Sequence, residues 1–185
     1  CIRDSAVAAA IARARAAQAD WRDTPVAERA RLCAAMTDAM AAMADDIVPE
    51  LAWQMGRPVR YGAGELAGFE ERARHMIAIA EEALAPVTPA PVDGFRRYVT
   101  REPLGLVLVV APWNYPFLTA VNSVIPALLA GNAVLLKHAA QTPLVAERFQ
   151  AAADRAALPL GLFQHLFLDH AGTARLVAGG AVDQV

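Results

Sequence analysis

The sequence predicts an α/β protein in which N-terminal helices precede an incomplete parallel sheet with covering helices. Three observations lead to this fold class. Helical patterns fill most of the first 85 residues, continuous apolar runs begin at Leu106, and strand and helix patterns then alternate. Strands buried on both faces read as continuous apolar runs, and the alternation favours a parallel sheet between helices. A chain of 185 residues that is 56% hydrophobic suits one globular domain with a sizeable core.

The first half of the chain contains four helical patterns. Residues 5–20 are rich in alanine, the strongest helix former. Pro25 suits the first position of the second helix, and Gly56-Arg57-Pro58 stops the third. We predict helices over residues 5–20, 25–43, 46–55 and 65–85.

The second half changes character. A proline-rich, extended stretch covers residues 86–91, and Phe95 to Thr100 then alternates like a strand. The last residues, 181–185, resemble the start of a further strand. We predict strands over residues 95–100, 106–111, 133–137 and 162–168, and helices over residues 117–130, 143–157 and 172–178.

Charge and cysteine content argue against several functional classes. Lysine and arginine number 17 against 19 aspartates and glutamates, a net charge of −2, whereas nucleic-acid-binding surfaces are basic and clustered. Cys1 and Cys33 are too few for a disulfide framework and agree with a reducing compartment. Neither is expected to be a nucleophile, since Cys33 lies in a helical pattern and resembles a small buried hydrophobic residue. We therefore expect a cytoplasmic location and no nucleic-acid partner.

One apolar stretch, Phe117 to Leu136, has the length of a membrane-spanning helix. It contains Gly131-Asn132, a turn signal that divides the stretch into a helix and a strand. We therefore expect no membrane partner.

Two motifs that suggest ligands fail on spacing or context. Gly62, Gly64 and Gly68 resemble a dinucleotide fingerprint, but the spacing is one residue too long and no strand precedes them. We interpret them as a turn into the fourth helix. His165 and His170 lie on a strand pattern and in the loop after it, so we expect no metal site.

Polar side chains follow two neighbouring strands where each strand ends. Pro112, Trp113 and Asn114 follow the first strand, and Lys137 begins the exit of the second. Singly, Asn114 would be a turn residue and Lys137 a solvated strand end. Together they share the sheet edge at which such folds bind ligands. A carboxamide there can donate to a developing oxyanion, and a lysine can hydrogen-bond a ribose or reach a phosphate.

Each of these strand exits leads into a helix with a proline near its start, Pro116 or Pro143. The unpaired N–H groups at the N-terminus of a helix favour anions. Both helix starts are therefore expected to support the binding of an anionic cofactor.

Several motifs in this region resemble the aldehyde dehydrogenase superfamily. They are EPLG at 102–105, APWNYP at 111–116, PALLAGNAVLLKHAAQTP at 126–143 and LPLG at 158–161. Upstream, GRPVRYGAGEL at 56–66 resembles the family's Gly-Lys-Pro stretch before a long helix. The resemblance covers essentially the whole chain, and the order and spacing of the motifs over 102–143 are highly specific. It implies a partial, Rossmann-like NAD(P)-binding domain over residues 1–185, with the catalytic domain absent.

The resemblance also implies an activity. Members of the family oxidise aldehydes to carboxylic acids, or to thioesters in some branches, with NAD or NADP. A cysteine thiolate attacks the aldehyde, and an asparagine carboxamide that matches Asn114 helps to hold the thiohemiacetal oxyanion. The lysine that contacts the adenosine ribose matches Lys137, and Pro112 and Trp113 match positions that line the cofactor groove. Residues 95–103 would belong to the family's oligomerisation hairpin, in a homodimer or homotetramer.

The chain departs from the family pattern at three places. The nucleophilic cysteine, the base glutamate and the Gly-Ser phosphate motif have no match, so we expect a fragment that is inactive alone. The family lysine is often followed by Pro-Ser-Glu, whose glutamate would repel a 2′-phosphate. Here Ala139 and Ala140 stand at the last two of those positions, so NADP is acceptable beside NAD. After the strand at 162–168, Leu168-Asp169-His170 replaces the usual Pro-Gly pair.

The predicted function is therefore that of a fragment of an NAD(P)-dependent aldehyde dehydrogenase, with an aldehyde, including a semialdehyde, as substrate. The alternative is a non-catalytic interaction module or nucleotide-binding module derived from the same family.

Overall fold

The computed structural model describes residues 4–185 and confirms the predicted α/β class. Four helices come first, and three parallel strands then alternate with three further helices, as the apolar runs predict. In chain order the elements are α1 (Asp4–Trp21), α2 (Val26–Ala41), α3 (Ala44–Met55), α4 (Gly62–Leu84), β1 (Leu106–Ala111), α5 (Pro116–Leu129), β2 (Ala133–His138), α6 (Pro143–Arg155), β3 (Phe163–His165) and α7 (His170–Ala178).

The three strands form a parallel sheet in the order β1-β2-β3. β1 and β2 pair along all six residues and end together, with Ala111 beside His138. On the other edge of β1, Gln184 forms a parallel bridge to Val107, which confirms at this residue the strand predicted to start near the end of the chain. The equal ends of β1 and β2 bring their two exits to one edge of the sheet.

The core lies between the sheet and the helices. α1, α5 and α6 pack against the strands, and α2 and α4 pack against α5. The Phe149 ring lies 5.7 Å from the Phe69 ring and 5.8 Å from the Phe117 ring, measured between centroids, and joins α4, α5 and α6. Burial of each such side chain contributes about 1.5–3 kcal/mol. At the other end of α5, the buried Trp21 indole donates a hydrogen bond of 2.9 Å to the Leu128 carbonyl and fastens α1.

Residues 95–100 do not form the strand that their alternation predicts. One antiparallel bridge joins Val99 to Val87, and another joins Phe95 to Val92. The side chains of Phe95 and Tyr98 are 72% and 60% exposed, so they cover no core among the described residues. An isolated pair of extended segments is marginal without a third strand or a helix beneath it.

Other boundaries differ by a few residues. β3 ends at His165, because the hydrogen bond from the Leu166 N–H to the Leu136 carbonyl is the last one that joins it to β2. α4 begins at Gly62, so the glycines at 62, 64 and 68 lie within the helix and not in a turn before it. A Cβ at Gly68 would lie 2.9 Å from a Leu118 methyl group, so α4 and α5 pack closely there.

Within residues 4–185, no helix is both long and apolar enough to cross a membrane.

Candidate functional site

The two strand exits lie side by side at the carboxyl edge of the sheet. Pro112, Trp113 and Asn114 follow β1, while Lys137 is the penultimate residue of β2 and pairs with Val110. Ala139 and Ala140 follow directly after β2. The six residues predicted for cofactor binding therefore come from the end of β2 and from the segments that follow β1 and β2, although their role in binding stays a prediction.

Lys137 offers unused hydrogen-bond donors at this edge. Only 8% of the residue is exposed, so its aliphatic stem packs among the strands. Within residues 4–185 its ammonium makes no hydrogen bond and no ion pair. An ammonium carries three hydrogen-bond donors, and the Lys137 nitrogen is not among the fully buried side-chain atoms that lack a partner, so solvent or a ligand can reach it. A hydroxyl-rich or phosphate-bearing ligand fits this donor, which is the chemistry of a nucleotide ribose.

The β1–α5 turn presents Trp113 and Asn114 to solvent, and the Trp113 side chain is 47% exposed. Among the described residues, the Asn114 carboxamide has no hydrogen-bond partner. A free, exposed amide on a short turn is available to donate to an oxyanion that forms on a substrate.

The same turn is held in an uncommon backbone conformation. Tyr115 precedes α5 with φ 48° and ψ 60°, in the left-handed region that bulky side chains rarely adopt. Its carbonyl accepts a hydrogen bond of 2.8 Å from the Thr119 N–H, and Pro116 starts the helix with a fixed φ. The surrounding structure must therefore hold the turn in place.

The sequence analysis missed the buried carboxylate that holds this turn. Glu65 on α4 accepts a hydrogen bond of 3.0 Å from the Phe117 N–H, in the first turn of α5. Its second oxygen pairs with Arg57. Burial raises the pKa of Glu65, while the Phe117 N–H, Arg57 and the Leu118 N–H act in the opposite direction. The available signal was a charged residue on the apolar stripe of α4, four residues before Phe69.

This contact corrects the expectation that both helix starts are open to an anion. At α5 the chain's own Glu65 accepts a hydrogen bond from the Phe117 N–H in the first turn. At α6 the Gln54 side chain accepts a hydrogen bond of 2.9 Å from the Leu144 N–H. A cofactor phosphate at either helix start would have to displace one of these side chains.

His138, at the end of β2, joins the two strand exits. Its Nδ1 accepts a hydrogen bond of 3.0 Å from the Ala139 N–H and lies 3.0 Å from the Thr142 hydroxyl. Because Nδ1 accepts, Nε2 carries the proton of the neutral ring and faces the Pro116 carbonyl at 3.4 Å. Burial lowers the pKa of His138, so the neutral ring is favoured. The sequence analysis treated this residue only as part of the exit.

For some residues the sequence predicts no catalytic or metal-binding role. Burial raises the pKa of the Cys33 thiol to about 12, which opposes thiolate formation and agrees with its assignment as a core residue. Cys1 lies outside the described residues. Asp169 caps α7 by accepting a hydrogen bond of 2.7 Å from the Gly172 N–H. Within the described part of the chain, no three His, Cys, Asp or Glu side chains cluster as a metal site would require.

A cavity of about 530 Å³ lies beside the β1–α5 turn. It is formed between that turn and the segment that joins α3 to α4. The residues lining it are Met55, Arg57, Arg60, Tyr61, Gly64, Asn114 and Tyr115. Asn114 therefore follows β1 and also lines this cavity, whose volume is large enough for a small ligand.

An open parallel sheet with polar strand exits at its carboxyl edge belongs to the class of α/β folds that bind ligands, nucleotides among them, at that edge. The sequence profile of the Aldehyde dehydrogenase family matches residues 2–183. The chain belongs to the aldehyde dehydrogenase family.

Curated and structural relatives agree with this assignment. Succinate-semialdehyde dehydrogenase [NADP(+)] 1 of Mycobacterium tuberculosis (strain ATCC 25618 / H37Rv) is 37% identical over 184 residues, which are 98% of this chain and 38% of that protein. The structure of Gox0499, determined to study cofactor and substrate selection, superposes with a TM-score of 0.91 at 26% identity and covers 98% of this chain and 40% of its own. An NAD-dependent benzaldehyde dehydrogenase from Corynebacterium glutamicum superposes with a TM-score of 0.82 at 26% identity, over 91% of this chain and 37% of that one. The chain thus spans about 38% of the length of its curated relatives.

Replacing His138 by Asn should weaken the pH dependence of stability. Burial lowers the pKa of His138 in the folded state, so the unfolded state binds more protons as the pH falls below the usual imidazole range. The free energy of unfolding therefore decreases on acidification, by at most about 1.4 kcal/mol per pH unit for one proton. Asn keeps an acceptor near the position of Nδ1 but does not titrate. Urea unfolding of the complete protein, followed by circular dichroism at about pH 7.5 and about pH 5.5, measures the difference.

In that experiment, His165 remains in both proteins, so its own lowered pKa contributes equally. An equal loss of stability in the wild type and in His138→Asn would contradict a neutral His138 in the folded state.

Proposed function

We propose that this chain forms part of the cofactor-binding domain of an NAD(P)-dependent aldehyde dehydrogenase, and that the complete protein oxidises an aldehyde to a carboxylic acid. The observation that carries the proposal is the pairing of Ala111 with His138. It brings to one edge of the sheet the Asn114 carboxamide and the Lys137 ammonium, neither of which has a hydrogen-bond partner within residues 4–185. Membership of the family supports the same reaction.

In this proposal the chain's residues bind and orient, and they do not supply the nucleophile. Lys137 donates to the adenosine ribose, and Pro112, Trp113, Ala139 and Ala140 line the groove beside it. When bound, NAD(P)⁺ supplies the hydride acceptor. Asn114 donates to the oxyanion that forms when a thiolate attacks the aldehyde carbon.

The buried Cys33, with its raised pKa, does not suit the role of that thiolate. We expect the nucleophilic cysteine and the base glutamate to come from sequence outside these 185 residues, and the chain to be inactive alone. Relatives of this chain carry the names succinate-semialdehyde dehydrogenase and benzaldehyde dehydrogenase. A semialdehyde is our preferred substrate, because the succinate-semialdehyde dehydrogenase relative is 37% identical to this chain and the benzaldehyde dehydrogenase is 26% identical.

We also propose that residues 95–103 contribute to an oligomerisation hairpin in a cytoplasmic homodimer or homotetramer. The exposed Phe95 and Tyr98 side chains support this role, because an apolar surface that covers no core is typical of a contact between proteins.

Replacing Asn114 by Ala in the complete protein should lower kcat by roughly 10²–10³, the effect of losing one oxyanion donor. Asn114→Asp should also lower kcat, since a carboxylate of the same shape repels the oxyanion. Steady-state kinetics with succinate semialdehyde and NADP⁺ measures both effects, and thermal unfolding checks that the variants fold. Wild-type kcat in Asn114→Ala would refute the proposed role.

Replacing Ala140 by Glu should shift the cofactor preference from NADP⁺ towards NAD⁺. Ala140 is exposed directly after β2 and leaves space for a 2′-phosphate without a repelling carboxylate. The new charge should lower the ratio of kcat/KM for NADP⁺ to that for NAD⁺ by roughly tenfold. Ala140→Gln, which adds similar bulk without charge, is the matched control. An equal shift in both variants would show that bulk, not charge, sets the preference.

A further inference from the structure

The cavity beside Asn114 has a charge that the proposed oxidation chemistry does not require. Arg57 and Arg60 line it, and no aspartate or glutamate does. The chain as a whole has a net charge of −2, whereas the described residues that line this cavity include two arginines and no carboxylate. Such a cavity attracts an anionic ligand.

One of these arginines is largely committed to the protein. Arg57 pairs with the buried Glu65, and its side chain is only 16% exposed. Its guanidinium lies 4.9 Å from the centroid of the Tyr115 ring. Arg57 therefore supports the turn that carries Asn114, and Glu65 already balances its charge.

Arg60 is in a different position. It is exposed, and within residues 4–185 it forms no ion pair. Its guanidinium lies over the Tyr61 ring, 4.8 Å from the centroid. Other exposed arginines, such as Arg15 and Arg74, pair with aspartates at 3.0 Å and 2.7 Å. The contact with the Tyr61 ring restricts the orientation of the Arg60 guanidinium but leaves its N–H groups available. Two of these N–H groups can donate parallel hydrogen bonds to the two oxygens of a carboxylate.

We propose that Arg60 binds the carboxylate of the substrate and so makes this cavity selective for aldehydes that carry a carboxylate, the ω-oxo acids. The inference rests on the proposed function, in which Asn114 holds the oxyanion. Arg60 and Asn114 line the same cavity, so one small ligand can place its carboxylate at the first residue and its aldehyde carbon near the second. Arg60 is a specificity residue and takes no part in the bond changes.

The test compares two aldehydes of similar chain length in the complete protein. Succinate semialdehyde carries the carboxylate, and butanal lacks it. In the wild type, kcat/KM should be higher for succinate semialdehyde. In Arg60→Gln the ratio of the two kcat/KM values should fall by roughly tenfold, mainly through a higher KM for the charged aldehyde. Arg60→Glu should lower the ratio further, because its charge repels the substrate.

Arg155→Gln is the control. Arg155 is an exposed arginine at the end of α6, and it does not line the cavity beside Asn114. This variant should keep the wild-type ratio.

Two results would overturn the inference while leaving the proposed function intact. One is an unchanged ratio in both Arg60 variants. The other is a higher KM for NADP⁺ with an unchanged ratio, which would assign Arg60 to a cofactor phosphate. Failure of the wild type to oxidise either aldehyde would instead refute the proposed function, and this inference with it.

Discussion

The buried carboxylate of Glu65 is the contact on which the site depends. It lies where α4, the start of α5 and the segment after α3 meet, and it pairs with the Phe117 N–H and with Arg57. Taking a charge out of water is costly, and burial raises the pKa of this group accordingly. Removing one partner of such a pair typically costs about 3–5 kcal/mol, because the other charge is left buried. The turn that carries Asn114 is thus held by the protein itself.

This arrangement determines which groups are free for a ligand. The side chains of Glu65 and Gln54 accept hydrogen bonds from N–H groups in the first turns of α5 and α6. These N–H groups are therefore engaged within the protein and are not free for a ligand. The groups that remain are side chains on the strand exits, above all the Lys137 ammonium and the Asn114 carboxamide. The buried imidazole of His138 links the exits by contacts to Ala139 and Pro116. The chemical roles of these groups are our proposal, which membership of the family supports, and Arg60 is the basis of the proposed substrate class.

Much of the fold could be predicted because it depends on local sequence patterns. The apolar run Leu106–Ala111 and the turn at Gly131-Asn132 define strands and boundaries that need no distant partner to be recognised. The segment 95–100 was predicted wrongly for the same reason. Its alternation satisfies the local rule for a strand, but the described chain provides no sheet beneath it. β-Structure needs neighbours, and sequence alternation does not show whether they exist.

The site was predictable only in part. The placement of Asn114 and Lys137 at one edge of the sheet could be predicted, because apolar runs mark the two strands and parallel strands end at one edge; their role in binding stays a prediction. Glu65 and Arg57 were not found, because Glu65 meets Phe117 across 52 residues and no local pattern connects them. The neutral state of His138 likewise depends on burial and on Pro116, 22 residues away. Long-range polar contacts of this kind become visible only in three dimensions.

The most direct test of the account is a crystal structure of the complete protein with NADP⁺ bound. The account predicts that the Lys137 ammonium lies within hydrogen-bond distance of the adenosine ribose or its 2′-phosphate. It also predicts that Glu65 and Gln54 still cap their helices and that the Asn114 carboxamide stays free for substrate. Cofactor phosphates on the first turn of α5 or α6, with Glu65 or Gln54 displaced and Lys137 away from the nucleotide, would contradict it.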